Sequence, residues 1–175
     1  YVGHVPYSSQ FEDWLMKNNF KQIFVYRDPR DYVVSLSNYV TRDVEKKHEY
    51  YELYMRISSI HQERFKSIIK GYGDGENKFI TSNKSIPNVK IVFNAYKNWF
   101  DSYNTISIPF ENVVDSRYSN QTFIEILTFL DLKSKHSMNR ADNILNLGKE
   151  PLKSRTFRKG AIGGWKNVFD EITEN

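Results

Sequence analysis

Cysteine is absent from the 175 residues. That excludes a disulfide staple, a thiol nucleophile and any zinc site with cysteine ligands, and it suits a reducing compartment. No apolar run approaches the roughly 20 residues of a membrane-crossing helix, so no membrane span is expected in this segment. Charge of one sign is scarce as well. The 25 Lys and Arg against 21 Asp and Glu leave a formal +4, too little for a polycationic nucleic-acid binder and enough for local sites that take small anions. Repeats and low-complexity tracts are missing. No initiator Met opens the chain, whose first residues read YVGHVPYSS. The expectation is therefore a segment that starts inside a larger protein, with any targeting signal out of view.

What is present suits one folded domain over 1–175 with a real core. KQIFVYR (21–27) is a β-branched and aromatic run and reads as a buried strand. Asp28 then caps a helix with Pro29 at its first position, where a missing N–H costs nothing, and the pattern carries that helix to about Val44. Upstream, YVGH reads as the end of a strand. SSQFEDWLMKN reads as a short helix with Ser9 and Glu12 at capping-box spacing. HEYYELYMRISSIHQERFKSIIKGY reads as one long helix ending near Gly71, and GYGDGENK as a mobile loop. A helix started by Pro87 and a second strand, TISIPF, follow. SNQTFIEILTFLDL and NRADNILNLGKE read as helices, and a basic loop leads to a terminal helix, WKNVFDEIT. Strands separated by helices predict an α/β domain of three layers, a central parallel sheet flanked by helices. Ligands in such sheets bind outside the carboxyl ends of the strands.

Arg27 stands at that kind of end. Its planar fork of donors suits phosphate oxygens, and Ser35, eight residues on, offers a hydroxyl from the following helix. The plain alternative is an Arg paired with Asp28 or Asp31 and a helix Ser facing solvent. Near the other end, FRKGAIGGWKN (157–167) puts Arg158 and Lys159 beside Gly160, where backbone N–H groups can approach an anion closely. Taken singly, such a loop is most often a solvated turn. No group of metal-ligating side chains stands out.

Together these two clusters resemble the cytosolic-type sulfotransferases, which use 3′-phosphoadenosine 5′-phosphosulfate (PAPS) as donor and leave adenosine 3′,5′-bisphosphate. In that family a strand ends on an Arg, a Ser follows eight residues later, and both hold the 3′-phosphate. YRDPRDYVVSL matches with Arg27 and Ser35. The family's C-terminal signature, Arg-Lys-Gly-x-x-Gly-Asp-Trp-Lys-Asn, reads RKGAIGGWKN here, with Gly164 in the Asp position. The resemblance implies that Arg158, Lys159 and Gly160 close over the same phosphate. GHVPYS resembles the segment of the family's general base, which implies that His4 takes the acceptor's proton. ISIPFENVV resembles the family's strand followed by Tyr-Glu-Asp, which implies Phe110 near the adenine; Phe110 as plain core stays open.

The implied fold is the P-loop NTPase-like sulfotransferase fold with its N-terminal part missing, because the family's glycine-rich phosphosulfate loop has no counterpart in this chain. The implied activity is sulfuryl transfer to a hydroxyl or amine of a small-molecule or glycan acceptor, without metal, in a cytoplasmic setting. The family's dimerisation pattern is not matched after Lys166. The alternative is a non-catalytic nucleotide- or anion-binding module, a degenerate relative. The aromatics near the first motif, Tyr7, Phe11, Trp14 and Tyr50 among them, are candidates for an acceptor pocket or for core.

Overall fold

The structure is a computed structural model that describes residues 3–42, 48–57, 61–79, 82, 84–132 and 162–173. The chain divides into two compact units. One is built from Tyr1–Pro6, Asp28–Lys97 and Gly163–Asn175, and the other from Tyr7–Arg27 and Asn98–Ile162.

The second of these units holds the sheet. Strand β1 (Gln22–Tyr26) pairs in parallel with β2 (Thr105–Pro109), in a register running from Gln22 opposite Thr105 to Tyr26 opposite Pro109. Alternation sends Phe24 and Tyr26 to one face, where both rings meet the edge of Phe100 at 5.3 and 4.7 Å. Ile23 and Val25 point the other way and are exposed. Helix α1 (Ser9–Lys17) precedes β1. Its cap is Ser8, whose hydroxyl accepts from the Phe11 N–H at 3.1 Å, one residue earlier than the capping-box spacing indicates. The box fails because Glu12 is engaged elsewhere. Its carboxylate accepts from the Tyr7 hydroxyl at 2.7 Å, the Ser102 hydroxyl, and the Tyr103 N–H at 3.2 Å. Beneath this cluster Trp99 is fully buried, with Tyr7 and Phe11 edge-on to its ring at 5.0 and 6.2 Å. Strand β2 runs straight into α6 (Phe110–Val114), which packs with α7 (Ser119–Phe129). Lys21, just ahead of β1, donates to the carbonyl of Phe129, the last residue of α7, and pairs with Asp131.

The other unit is helical. Helix α2 (Pro29–Thr41) begins as its sequence dictates, with the Asp28 carboxylate accepting the Arg30 N–H at 2.9 Å. It ends at Thr41, short of Val44. Its stripe of Val33, Ser37 and Val40 is buried, and the two valines join Tyr50, Leu53, Tyr54, Phe65, Ile68 and Ile86 in one core. The expected single long helix is described as two, α3 (Tyr51–Ile57) and α4 (His61–Lys70). The expected mobile loop is hydrogen-bonded: Gly73–Glu76 forms a 3₁₀ turn, and Tyr72 exchanges backbone bonds with Ile86 at 2.8 and 3.1 Å. Gly75 lies so close to that partner that a Cβ would meet the Ile86 carbonyl oxygen at 2.1 Å. Helix α5 (Val89–Tyr96) starts at an Asn88 cap and not at Pro87, because the Asn88 side chain can accept the Ile91 N–H. Helix α8 (Lys166–Thr173) closes the unit. Tyr50 and Tyr54 belong to this core, and burial raises both phenol pKa values, so they serve packing.

Glu12 supplies a pH-dependent bond within the sheet unit. The Ser102 hydroxyl, and next the Tyr7 hydroxyl, lower its pKa below the ordinary 4.5. A depressed carboxylate contributes its stabilisation fully above that ordinary value and loses it as pH falls through the folded-state value. Glu12→Gln is therefore expected to lower the urea midpoint at pH 7, with the gap to wild type closing as pH falls below about 4. Urea titrations across that range check it.

Candidate functional site

Parallel pairing puts the carboxyl ends of β1 and β2 on the same side, and the register places Tyr26 opposite Pro109. The residues that follow are Arg27 and Phe110. They meet, with the Arg27 guanidinium 4.8 Å over the Phe110 ring. Both are half-buried. A guanidinium sheds water more readily than an ammonium and lies flat on an aromatic face, so this contact orients the cation. The result is a positive fork next to a flat apolar ring at the carboxyl ends of a parallel pair, where such sheets take their ligands. Asp115, just after α6, is held by Arg117 through bonds of 2.6 and 3.0 Å, and that pairing lowers its pKa to about 2. It is a committed carboxylate and poorly suited to act as a base near neutrality.

In the helical unit the first turn of α2 gathers the end of the C-terminal motif. Arg30 folds back on Asp28, with Nε at 2.9 Å from Oδ1 and a terminal nitrogen at 2.6 Å from Oδ2, and lowers its pKa. The same guanidinium lies 3.8 Å over the ring of Trp165. Asp31 is only 3% exposed. Its Oδ2 accepts the Gly163 N–H at 2.8 Å and its Oδ1 the Trp165 N–H at 3.1 Å. Gly163 has φ +71, a conformation that favours glycine. Ser35 is one turn beyond Asp31 on the same helix, so it shares the face that carries this contact, and its side chain is exposed.

Among the residues singled out from the sequence, the structure brings Arg27 and Phe110 together. It places Ser35 on the helix to which the tail of the second motif is tied. His4 sits in an irregular segment ahead of α1 with its side chain exposed. Arg158, Lys159 and Gly160 lie outside the described residues. Tyr7 and Phe11 are taken up by Trp99, and Trp14 stacks between Phe11 and Phe20 at 5.8 and 5.2 Å. The sequence reading missed Asp31 as the acceptor of the Gly163 and Trp165 amides, and no local signal in the sequence marks that contact. Among the described residues no group of three metal-ligating side chains occurs, and no helix is long and apolar enough to cross a membrane.

The architecture matches a solved structure. The chain superposes on the crystal structure of mouse sulfotransferase SULT7A1 complexed with PAP with a TM-score of 0.61, at 15% sequence identity, over 90% of this chain and 59% of that one. At that identity the likeness establishes a fold: mixed α/β, with a parallel pair of strands and flanking helices, of the sulfotransferase kind. The chain spans less than two thirds of that sulfotransferase's length. No family model matches the sequence, and no curated protein does.

The Arg27–Phe110 contact is measurable. A double-mutant cycle of Arg27→Gln and Phe110→Leu, read by chemical denaturation, is expected to give a coupling of about 0.5–1 kcal/mol. A coupling below about 0.3 kcal/mol, the limit of additivity, would separate the two side chains.

Proposed function

We propose that this chain is the 3′-phosphoadenosine-gripping part of a PAPS-dependent sulfotransferase acting on a hydroxyl or amine of a small-molecule or glycan acceptor. The observation that carries the reading is the Arg27 guanidinium lying over Phe110 at the carboxyl ends of a parallel strand pair. It occurs in a fold shared with a sulfotransferase whose structure contains PAP. The residues present fit the nucleotide: a 3′-phosphate needs a fixed cation and an adenine needs a flat apolar surface, and these two side chains supply one of each. PAPS, when bound, carries the sulfuryl group.

Each residue then has a task. Arg27 and the Ser35 hydroxyl donate to the 3′-phosphate, Phe110 packs near the adenine, and Arg158, Lys159 and the Gly160 N–H close over the phosphate from the C-terminal motif. His4 accepts the proton of the acceptor hydroxyl as its oxygen bonds to sulfur and the bond between sulfur and the leaving phosphate oxygen breaks. None of these groups is assigned to the phosphosulfate itself. Gly164, where the family signature has an Asp, favours a second reading in which the chain binds the nucleotide without transferring sulfate.

The 3′-phosphate is the discriminating group. Adenosine 3′,5′-bisphosphate is expected to bind at least tenfold more tightly than adenosine 5′-phosphate, since charge-assisted hydrogen bonds contribute about 1.5–3 kcal/mol each. Arg27→Ala is expected to erase roughly tenfold or more of the bisphosphate's affinity. Calorimetry measures both, and equal affinity of the wild-type protein for the two nucleotides overturns the proposal.

A further inference from the structure

The core stripe of α2 carries one polar member. Ser37 sits on it between Val33 and Val40 and is 0% exposed. A serine inside a helix ordinarily turns its hydroxyl back to the carbonyl four residues earlier. Thr41, one turn on, makes that kind of bond and donates to the Ser37 carbonyl at 2.9 Å. The Ser37 hydroxyl does not, and it has no hydrogen-bond partner among the described residues. Val33 and Val40 share their core with Tyr54 of α3, which is also 0% exposed. The Tyr54 phenol oxygen is likewise without a partner among the described residues.

Neither oxygen can turn to solvent. Tyr54 is fixed along its backbone, where its N–H donates to the Tyr50 carbonyl at 2.8 Å and its carbonyl accepts from Arg64 Nε at 3.3 Å. Its ring packs against that of Tyr50 at 6.4 Å. Burial holds the phenol pKa well above 10, so the group stays an O–H that both donates and accepts. A buried hydroxyl left unpaired costs more than a made hydrogen bond usually returns, and here two such hydroxyls belong to one core. Water meets both needs, since it donates and accepts and, when buried, typically bonds about three otherwise unsatisfied groups. The phenols of Tyr32 and Tyr50, close enough for their charge to bear on Tyr54, offer further partners. Serine is also the smallest side chain of the stripe, so a water fits there more readily than beside either valine. We propose that Ser37 and Tyr54 form an internal hydration site, in which one bound water joins the hydroxyl of α2 to the hydroxyl of α3. The bridge gives two helices a directional link inside an otherwise apolar core, which fixes their mutual rotation more sharply than apolar contact does. It concerns the helical unit alone and is independent of the nucleotide reading.

Two near-isosteric substitutions test it, because each removes one oxygen and little else. Tyr54→Phe and Ser37→Ala are made singly and together in the full chain, and unfolding is followed in urea. A bridged hydroxyl takes a bond with it when it goes, so each single substitution is expected to lower the midpoint by roughly half a molar. The double variant is expected to lose clearly less than the sum of the two, since the first removal already breaks the bridge. A crystal structure of the wild-type protein is expected to show one ordered water within about 3 Å of both oxygens. A rise in the midpoint overturns the proposal, because removing an unpaired buried hydroxyl is what stabilises a core. Additive losses also overturn it, since they mean that the two oxygens serve separate partners. So does a crystal structure in which no single water touches both oxygens, and that result stands even where a variant fails to fold.

Discussion

The parallel pairing of β1 with β2 is the constraint from which the rest follows. Two parallel neighbours cannot be joined by a tight turn; the chain must cross back before the second strand can lie beside the first. Here everything between Tyr26 and Thr105 serves as that crossing, and it is long enough to build helices α2 to α5 with their own buried core. Parallel pairing also aligns the two carboxyl ends, so the residue after each strand becomes the neighbour of the other. That is why Arg27 and Phe110, far apart in sequence, form one contact. Register is held by the side chains: a slip of one residue would take Phe24 and Tyr26 off Phe100 and turn Ile23 and Val25 onto it.

The start of α2 illustrates how one short sequence performs several jobs at once. Asp28 caps the helix and holds Arg30, Arg30 covers Trp165, and Asp31 takes two amides of the C-terminal segment. Each acid is matched by a donor, so the first turn carries two carboxylates without an unsatisfied charge. The negative charges also sit at the positive end of the helix dipole, which favours them further. The opening helix and strand of the sheet unit are tied down by a similar economy. Glu12 gathers three donors from two separate stretches, and Lys21 bonds to the end of α7.

Much of this was legible in the sequence where the signal is local. The Asp28–Pro29 start of α2 and the two short strands follow from capping chemistry and from β-branched runs, which act over a few residues. Predicted boundaries moved where two local signals competed. Ser8 and not Ser9 caps α1, because Glu12 is drawn away by Ser102 and Tyr103. Asn88 and not Pro87 starts α5, because only Asn88 offers an acceptor to the helix. The loop at 71–78 became a paired turn through Ile86, a partner that local composition does not reveal. The Arg27–Phe110 contact was approached from two motifs read separately, and it is the parallel register that joins them. The sequence offered Asp31 only as a possible partner of Arg27. Its carboxylate accepts amides near the other end of the chain, and no local periodicity carries that information.

The central claim is that the carboxyl ends of β1 and β2 receive a 3′-phosphorylated adenosine. A crystal structure of the protein grown with adenosine 3′,5′-bisphosphate tests it most directly. The account predicts the 3′-phosphate within hydrogen-bonding distance of the Arg27 guanidinium and the adenine against Phe110. A nucleotide bound elsewhere, with Arg27 and Phe110 untouched, would contradict it.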